Sequence, residues 1–134
     1  MAHEFTTRVY YEDVDLGGIV YYANYLRYIE RARSEWVRGL GIDQTALKDE
    51  GTVFAVRRIE ADYLAPARFD DLLCTTTEVT ELKASRAVLR QEVRRSGALL
   101  FSALVTIVAI GASGRPQRLP AAMRAVPTGD KTQA

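Results

Sequence analysis

From Asn24 onward the apolar residues Tyr25, Leu26, Ile29, Ala32, Trp36, Val37 and Leu40 recur at spacings of three and four, while Arg27, Glu30, Arg31, Ser34 and Arg38 fill the opposite side. That period predicts an amphipathic helix of about five turns. Asn24 or a near neighbour is its candidate amino-terminal cap, and Gly39 with Gly41 supplies the stop. Ahead of the helix, Phe5 to Tyr11 is rich in β-branched and aromatic residues and reads as a strand. It runs into acid, Glu12-Asp13-Val14-Asp15, and then into the Gly17-Gly18 break. Behind the helix, Asp43 to Gly51 predicts a short helical turn, and four strands follow: Val53 to Leu64, Leu72 to Leu82, Arg86 to Arg95 and Leu99 to Ile110. The breaks at 83–85 and 96–97 are short enough for hairpins. The last strand is apolar on both faces, which suits an inner position in a sheet.

The predicted order is therefore β-α-β-β-β-β, an α+β fold in which a five-stranded antiparallel sheet carries one long helix on its concave face. Residues 1–126 form a single domain, and the small, polar stretch 127–134 reads as a flexible tail. One helix covers less apolar sheet than five strands present, and the sheet keeps open edges. Self-association, at least to a dimer, is the expected remedy.

Composition narrows the function classes. With 134 residues, 48% hydrophobic and 26% charged, the chain can sustain a core without staples. Lys plus Arg number 18 against 17 Asp plus Glu, so no global field draws in nucleic acid. The longest apolar run, Ala98 to Ile110, is shorter than the ~20 residues that span a bilayer, and no transmembrane segment is expected. A single cysteine, Cys74, and no charged-then-apolar leader after Met1 suggest a reducing, cytoplasmic setting. Cys74 itself reads as a small core residue. One histidine, His3, expected to fray near the terminus, cannot anchor a Ser-His-Asp or Cys-His system, and one His with one Cys cannot furnish a usual zinc site. What remains is carboxylate chemistry.

Side chains alternate in an extended chain, so Asp13 and Asp15 share a side, Glu12 takes the other, and Asp15 is the one delivered to the loop. Seven residues on, the chain enters the helix, whose first N–H groups lack internal partners and form the positive end of the peptide dipole. A carboxylate thus faces a cluster of donors. A nucleophile or base beside donors that can hold a developing negative charge is a general arrangement for hydrolytic chemistry. Elsewhere the plainer reading holds: Tyr25 and Trp36 as core, Glu30 with Arg33 as a surface pair, Asp70-Asp71 as turn residues.

Four motifs, Arg8-Val-Tyr-Tyr-Glu-Asp-Val-Asp15, Gly17-Gly-Ile-Val-Tyr-Tyr-Ala-Asn-Tyr25, Glu30-Arg-Ala-Arg-Ser-Glu-Trp36 and Ala65-Pro-Ala-Arg-Phe-Asp-Asp71, together resemble the hotdog-fold acyl-CoA thioesterases, and most of all the YbgC-like, Tol-Pal-associated branch. The resemblance covers residues 5 to about 120. It implies that Asp15 acts as nucleophile or general base, that the backbone N–H of Tyr22 polarises the thioester carbonyl, and that Gly18, Ile19 and Val20 contact substrate. It further implies that Lys83 and Arg86, around the third hairpin, meet the coenzyme A phosphates. Coenzyme A would be part of the substrate, with no metal or redox cofactor. A cytoplasmic homotetramer built from dimers, with the site at the dimer interface, is implied as well. The Tol-Pal branch usually carries histidine where Tyr22 stands and the 4-hydroxybenzoyl-CoA thioesterase branch carries tyrosine, which leaves short aliphatic and aromatic acyl groups both open. Two other classes compete: a non-catalytic module that binds acyl thioesters or acyl carrier protein in envelope lipid metabolism, and a dehydratase, which ordinarily needs a histidine that His3 is badly placed to supply.

Overall fold

Helix α1 spans Asn24–Gly39, and its 16 residues extend about 24 Å at 1.5 Å per residue. Most of its apolar stripe enters the core: Tyr25, Ile29, Ala32, Trp36 and Val37 are buried and Tyr28 joins them, while Leu26, expected on the stripe, stands exposed. Each such large side chain removed from water contributes about 1.5–3 kcal/mol before conformational entropy is subtracted. The helix stops at Gly39 because the chain turns through Gly41 at φ +82°. Helix α2, Gln44–Asp49, follows with the Asp43 carboxylate accepting from the Thr45 and Ala46 N–H groups. The computed structural model describes residues 2–129.

Strands β1 (His3–Arg8), β2 (Thr52–Tyr63), β3 (Leu72–Leu82), β4 (Arg86–Arg95) and β5 (Ala98–Gly111) form one antiparallel sheet in the order β1-β3-β4-β5-β2. This is the α+β architecture expected from the pattern, and the hotdog fold that the resemblance implies. Strand β1 departs from expectation at both ends. His3 does not fray but opens the strand opposite Thr77, and the strand stops at Arg8 because the Val9 N–H turns to the Asp71 carbonyl at 2.9 Å. Tyr11–Asp13 is then a single 3₁₀ turn in which the Asp13 carboxylate accepts the Tyr10 N–H at 2.8 Å. The hairpin at 96–97 turns through two positive φ values, 50° at Ser96 and 85° at Gly97, as a two-residue connection demands.

Helix α1 lies mainly against β1, β3 and β4, while the short α2 packs on β2. Strand β2 is an edge, largely exposed along its length, and Val53, Val56 and Ile59 stand open to solvent there. The chain past β5 returns beneath the sheet. Leu119 and Met123 are buried, the Leu119 N–H donates to the Ala84 carbonyl, and the Gly129 N–H donates to Val79 at 2.6 Å. The end of the predicted tail, 130–134, lies outside the described residues. Among the described residues no helix is long and apolar enough to cross a membrane.

One polar joint ties helix to sheet. Gln91, fully buried on β4, donates to the Ile29 carbonyl of α1 and to the Thr77 hydroxyl, and accepts from the Arg33 guanidinium, each at 2.9 Å. Arg33 therefore turns inward and does not form the expected surface pair with Glu30, whose carboxylate takes the Ser34 hydroxyl instead. Burial lowers the Arg33 pKa below its ordinary value. Replacing Gln91 by the similarly sized Leu strands the guanidinium and two further polar groups. Gln91→Leu should lower the unfolding free energy by about 2–3 kcal/mol, read from denaturant titration.

Candidate active site

Between Asp13 and Tyr21 the chain doubles back as a small hairpin. The Tyr21 N–H donates to the Asp13 carbonyl, Val14 bridges Val20, and the Asp15 N–H donates to the Ile19 carbonyl, the two hydrogen bonds being 2.9 Å long. Gly18 closes the turn at φ +78° by donating to the Asp15 carbonyl. Only Gly18 of the glycine pair needs the left-handed region. The hairpin is docked on the 65–71 segment: the Val20 N–H donates to Ala67 at 2.8 Å, Ile19 bridges Arg68, and the buried Ala67 N–H donates to the Tyr25 hydroxyl at 3.0 Å. Asp71 then fastens that segment to β4 through Arg95 at 2.7 Å. Its partial burial would raise the carboxyl pKa, but the Arg68 N–H and the Arg95 guanidinium outweigh this and hold it below the usual value.

Past the hairpin, helix α1 begins without a capping side chain. The N-cap is Ala23, already helical at φ −69° and ψ −20°, and the expected cap, Asn24, is the first helical residue. Among the described residues the Tyr22 N–H meets no acceptor. An uncapped start leaves orphan donors where the peptide dipole is positive. Beside it opens a mostly apolar cleft of about 320 Å³ lined by Ile19, Val20, Tyr22, Tyr25, Tyr63 and Pro66 among others. The Tyr63 hydroxyl donates to the Tyr22 carbonyl at 3.0 Å, and Tyr25 stacks on Phe101 with ring centroids 4.9 Å apart. Burial raises the pKa of both Tyr25 and Tyr63, so each stays protonated at neutral pH.

Of the residues singled out from sequence, Ile19, Val20 and Tyr22 line this cleft, and Gly18 shapes the turn beside it. Asp15 stands opposite Ile19, and facing residues of an antiparallel pair carry their side chains on the same face. Its carboxylate is exposed in the single chain and accepts the Gly17 N–H at 2.9 Å, not a helix amide as expected. A short acidic side chain in a turn takes the nearest backbone donor, here two residues on. Lys83 and Arg86 do not join the group. Their hairpin caps the far end of β3, roughly 33 Å from the Leu72 end by strand rise, and Arg86 approaches Glu81 at 3.9 Å. Within one chain neither reaches Asp15. Sequence reasoning gave no site role to Tyr63 or Pro66; Pro66 lay within a family motif, and the signal for Tyr63 was its place near the end of a strand.

The thioesterase superfamily profile matches residues 17–101. The acyl-CoA thioesterase YbgC of Haemophilus influenzae is 41% identical over 107 residues, covering 79% of each chain. The acyl-CoA thioester hydrolase YbgC of Escherichia coli strain CFT073 is 42% identical over 115 residues, 84% of this chain and 86% of that one. Among solved structures, a probable thioesterase from Bartonella henselae superposes with a TM-score of 0.85 at 37% identity, covering 90% of this chain and 100% of that one.

The hairpin depends on a conformation closed to most side chains. A Cβ at Gly18 meets nothing within 4 Å, so Gly18→Ala adds backbone strain without a clash. It should cost about 1–2 kcal/mol. Thermal unfolding of the variant beside the wild type measures it.

Proposed function

The chain belongs to the thioesterase superfamily and is a thioester hydrolase, and within that family we propose that it cleaves acyl-CoA thioesters to free acid and coenzyme A, with Asp15 as the reacting carboxylate and the Tyr22 N–H as oxyanion donor. The two relatives named above act on acyl-CoA by their names, which supports the substrate class. The observation that carries the residue assignment is the hairpin register, which connects an exposed carboxylate to a helix start with an unpaired amide beside an apolar cleft.

In this reading the acyl group enters the cleft and its carbonyl oxygen approaches the Tyr22 N–H, where the positive end of α1 stabilises the charge that develops. The Asp15 carboxylate attacks the acyl carbon or takes a proton from the water that does. The carbon–sulfur bond breaks, the thiolate leaves as coenzyme A and collects a proton, and water supplies the acid's new oxygen. The Tyr22 side chain serves as cleft wall. The reaction in this form uses no metal or redox cofactor.

The site is completed by a second copy. Strand β2 presents unpaired backbone groups beside exposed Val53, Val56 and Ile59, a surface that invites pairing. Two β2 strands meeting antiparallel about a two-fold axis set each Thr52 end beside the partner's Tyr63 end. The end bearing Lys83 and Arg86 then comes to the side of the partner's Asp15 loop, where the coenzyme phosphates need cations.

Asp15→Asn should leave the thermal midpoint within a few degrees of wild type and lower kcat about 10²–10⁴-fold in a thiol-release assay over aliphatic and aromatic acyl-CoAs. Wild-type turnover in that variant refutes the aspartate assignment. Val56→Glu on the exposed edge should reduce both sedimenting mass and turnover; a fully active monomer refutes the shared site.

A further inference from the structure

We propose that Asn24 is a positioning residue for hydrolysis, holding the start of α1 in register with the Asp15 hairpin by donating its side-chain amide to the Asp13 carbonyl. This rests on the reading in which Asp15 and the Tyr22 N–H act together.

Asn24 is 9% exposed, although a polar residue in a helix's first turn normally faces water or caps a neighbouring N–H. It does neither. Its Nδ2 donates backward over eleven residues to the Asp13 carbonyl at 2.9 Å, and its own N–H donates to the Tyr21 carbonyl at 2.8 Å. The Tyr21 N–H reaches the same Asp13 oxygen. One carbonyl therefore receives two donors, one from the last rung of the hairpin and one from the first residue of the helix. Tyr22 lies between those donors in sequence, so the direction of its free amide follows from them.

Asp13 is itself held from the other side. Its carboxylate accepts the Tyr10 N–H, and it neighbours the buried Tyr28 ring of α1. A rigid acceptor is what makes the Asn24 bond a register and not a loose contact. From Asp13 the ladder continues through Val14–Val20 to Asp15–Ile19, so loosening the first rung displaces the reacting carboxylate relative to the amide. A misplacement on the order of 1 Å between reacting groups costs about 10²-fold in rate.

The test compares Asn24→Ala and Asn24→Asp with wild type in the thiol-release assay, with circular dichroism melts, using whichever acyl-CoA the wild type turns over fastest. Asn24→Asp keeps the side chain's size, and the positive end of the helix offsets part of the cost of facing the Asp13 carbonyl, while Asn24→Ala places no charge there; the melts show which variant is folded and therefore compared. Asn24→Asp lacks a donor at neutral pH. Both folded variants should lose about 10–100-fold in kcat at pH 7.5, with KM within about 2-fold of wild type. The activity of Asn24→Asp relative to wild type should climb as the pH falls toward 5, because a protonated carboxyl regains an O–H donor for the Asp13 carbonyl. Wild-type kcat in folded Asn24→Asp at pH 7.5, or a relative activity that is flat with pH, overturns the proposal, since packing volume alone predicts both. Asp15→Asn assayed in parallel separates the two readings. Wild-type turnover there sinks the aspartate assignment, whereas an inactive Asp15→Asn beside a fully active Asn24→Asp sinks only the role of Asn24.

Discussion

The Asp13 carbonyl oxygen accepts from the Tyr21 N–H and from the Asn24 side chain, and through those two bonds a glycine-turned hairpin and a helix of 16 residues become one rigid piece. Neither part is well defined alone. A short hairpin without a sheet is marginal in water, and the orientation of an uncapped helix start is set by whatever it leans on. Joined, they share a face with the cleft between Ile19 and Tyr63.

The rest of the fold can be read as support for that joint. Most of the apolar stripe of α1 is buried against β1, β3 and β4, and the Gln91 network, with the inward Arg33, fixes the helix along its length. At the other side of the hairpin, Val20 and Tyr25 hold the 65–71 segment, and Asp71 fastens it to β4 through Arg95. Burial of large aromatics supplies most of the driving force, while hydrogen bonds of modest net worth decide the geometry. The same division explains why the helix start can remain uncapped: stability comes from the packed stripe, leaving the first amides available for a ligand.

In the proposed dimer the edge strand β2 ties the architecture to the activity. A sheet with its helix displaced toward β1, β3 and β4 leaves apolar residues bare along one border, and the Asp15 carboxylate on a lone chain is open to water. A second copy laid along that border answers both at once in the proposed dimer. Thioester chemistry gains from excluding water around a developing oxyanion, so the cover has a chemical use beyond hiding hydrophobic surface.

Local pattern by itself determined the order of the long helix and the five strands, the limits of β3 and β4 to the residue, the turn at Gly17-Gly18 and most of the buried stripe of α1, where Leu26 is exposed and Tyr28 takes a buried place the pattern did not give it, because side-chain period and glycine's conformational range act over a few neighbouring residues. The motif shared with thioesterases also brought Ile19, Val20 and Tyr22 together before any coordinates did. Only the tertiary structure decided that Asn24 reaches back to Asp13 instead of capping, that Arg33 turns in to Gln91, that Tyr63 meets the Tyr22 carbonyl, and that Lys83 and Arg86 sit at the far end of the sheet from Asp15. The three contacts join residues 11 to 58 positions apart, and the place of Lys83 and Arg86 is fixed by the sheet's pairing order. No short-range period records which distant donor a side chain will find.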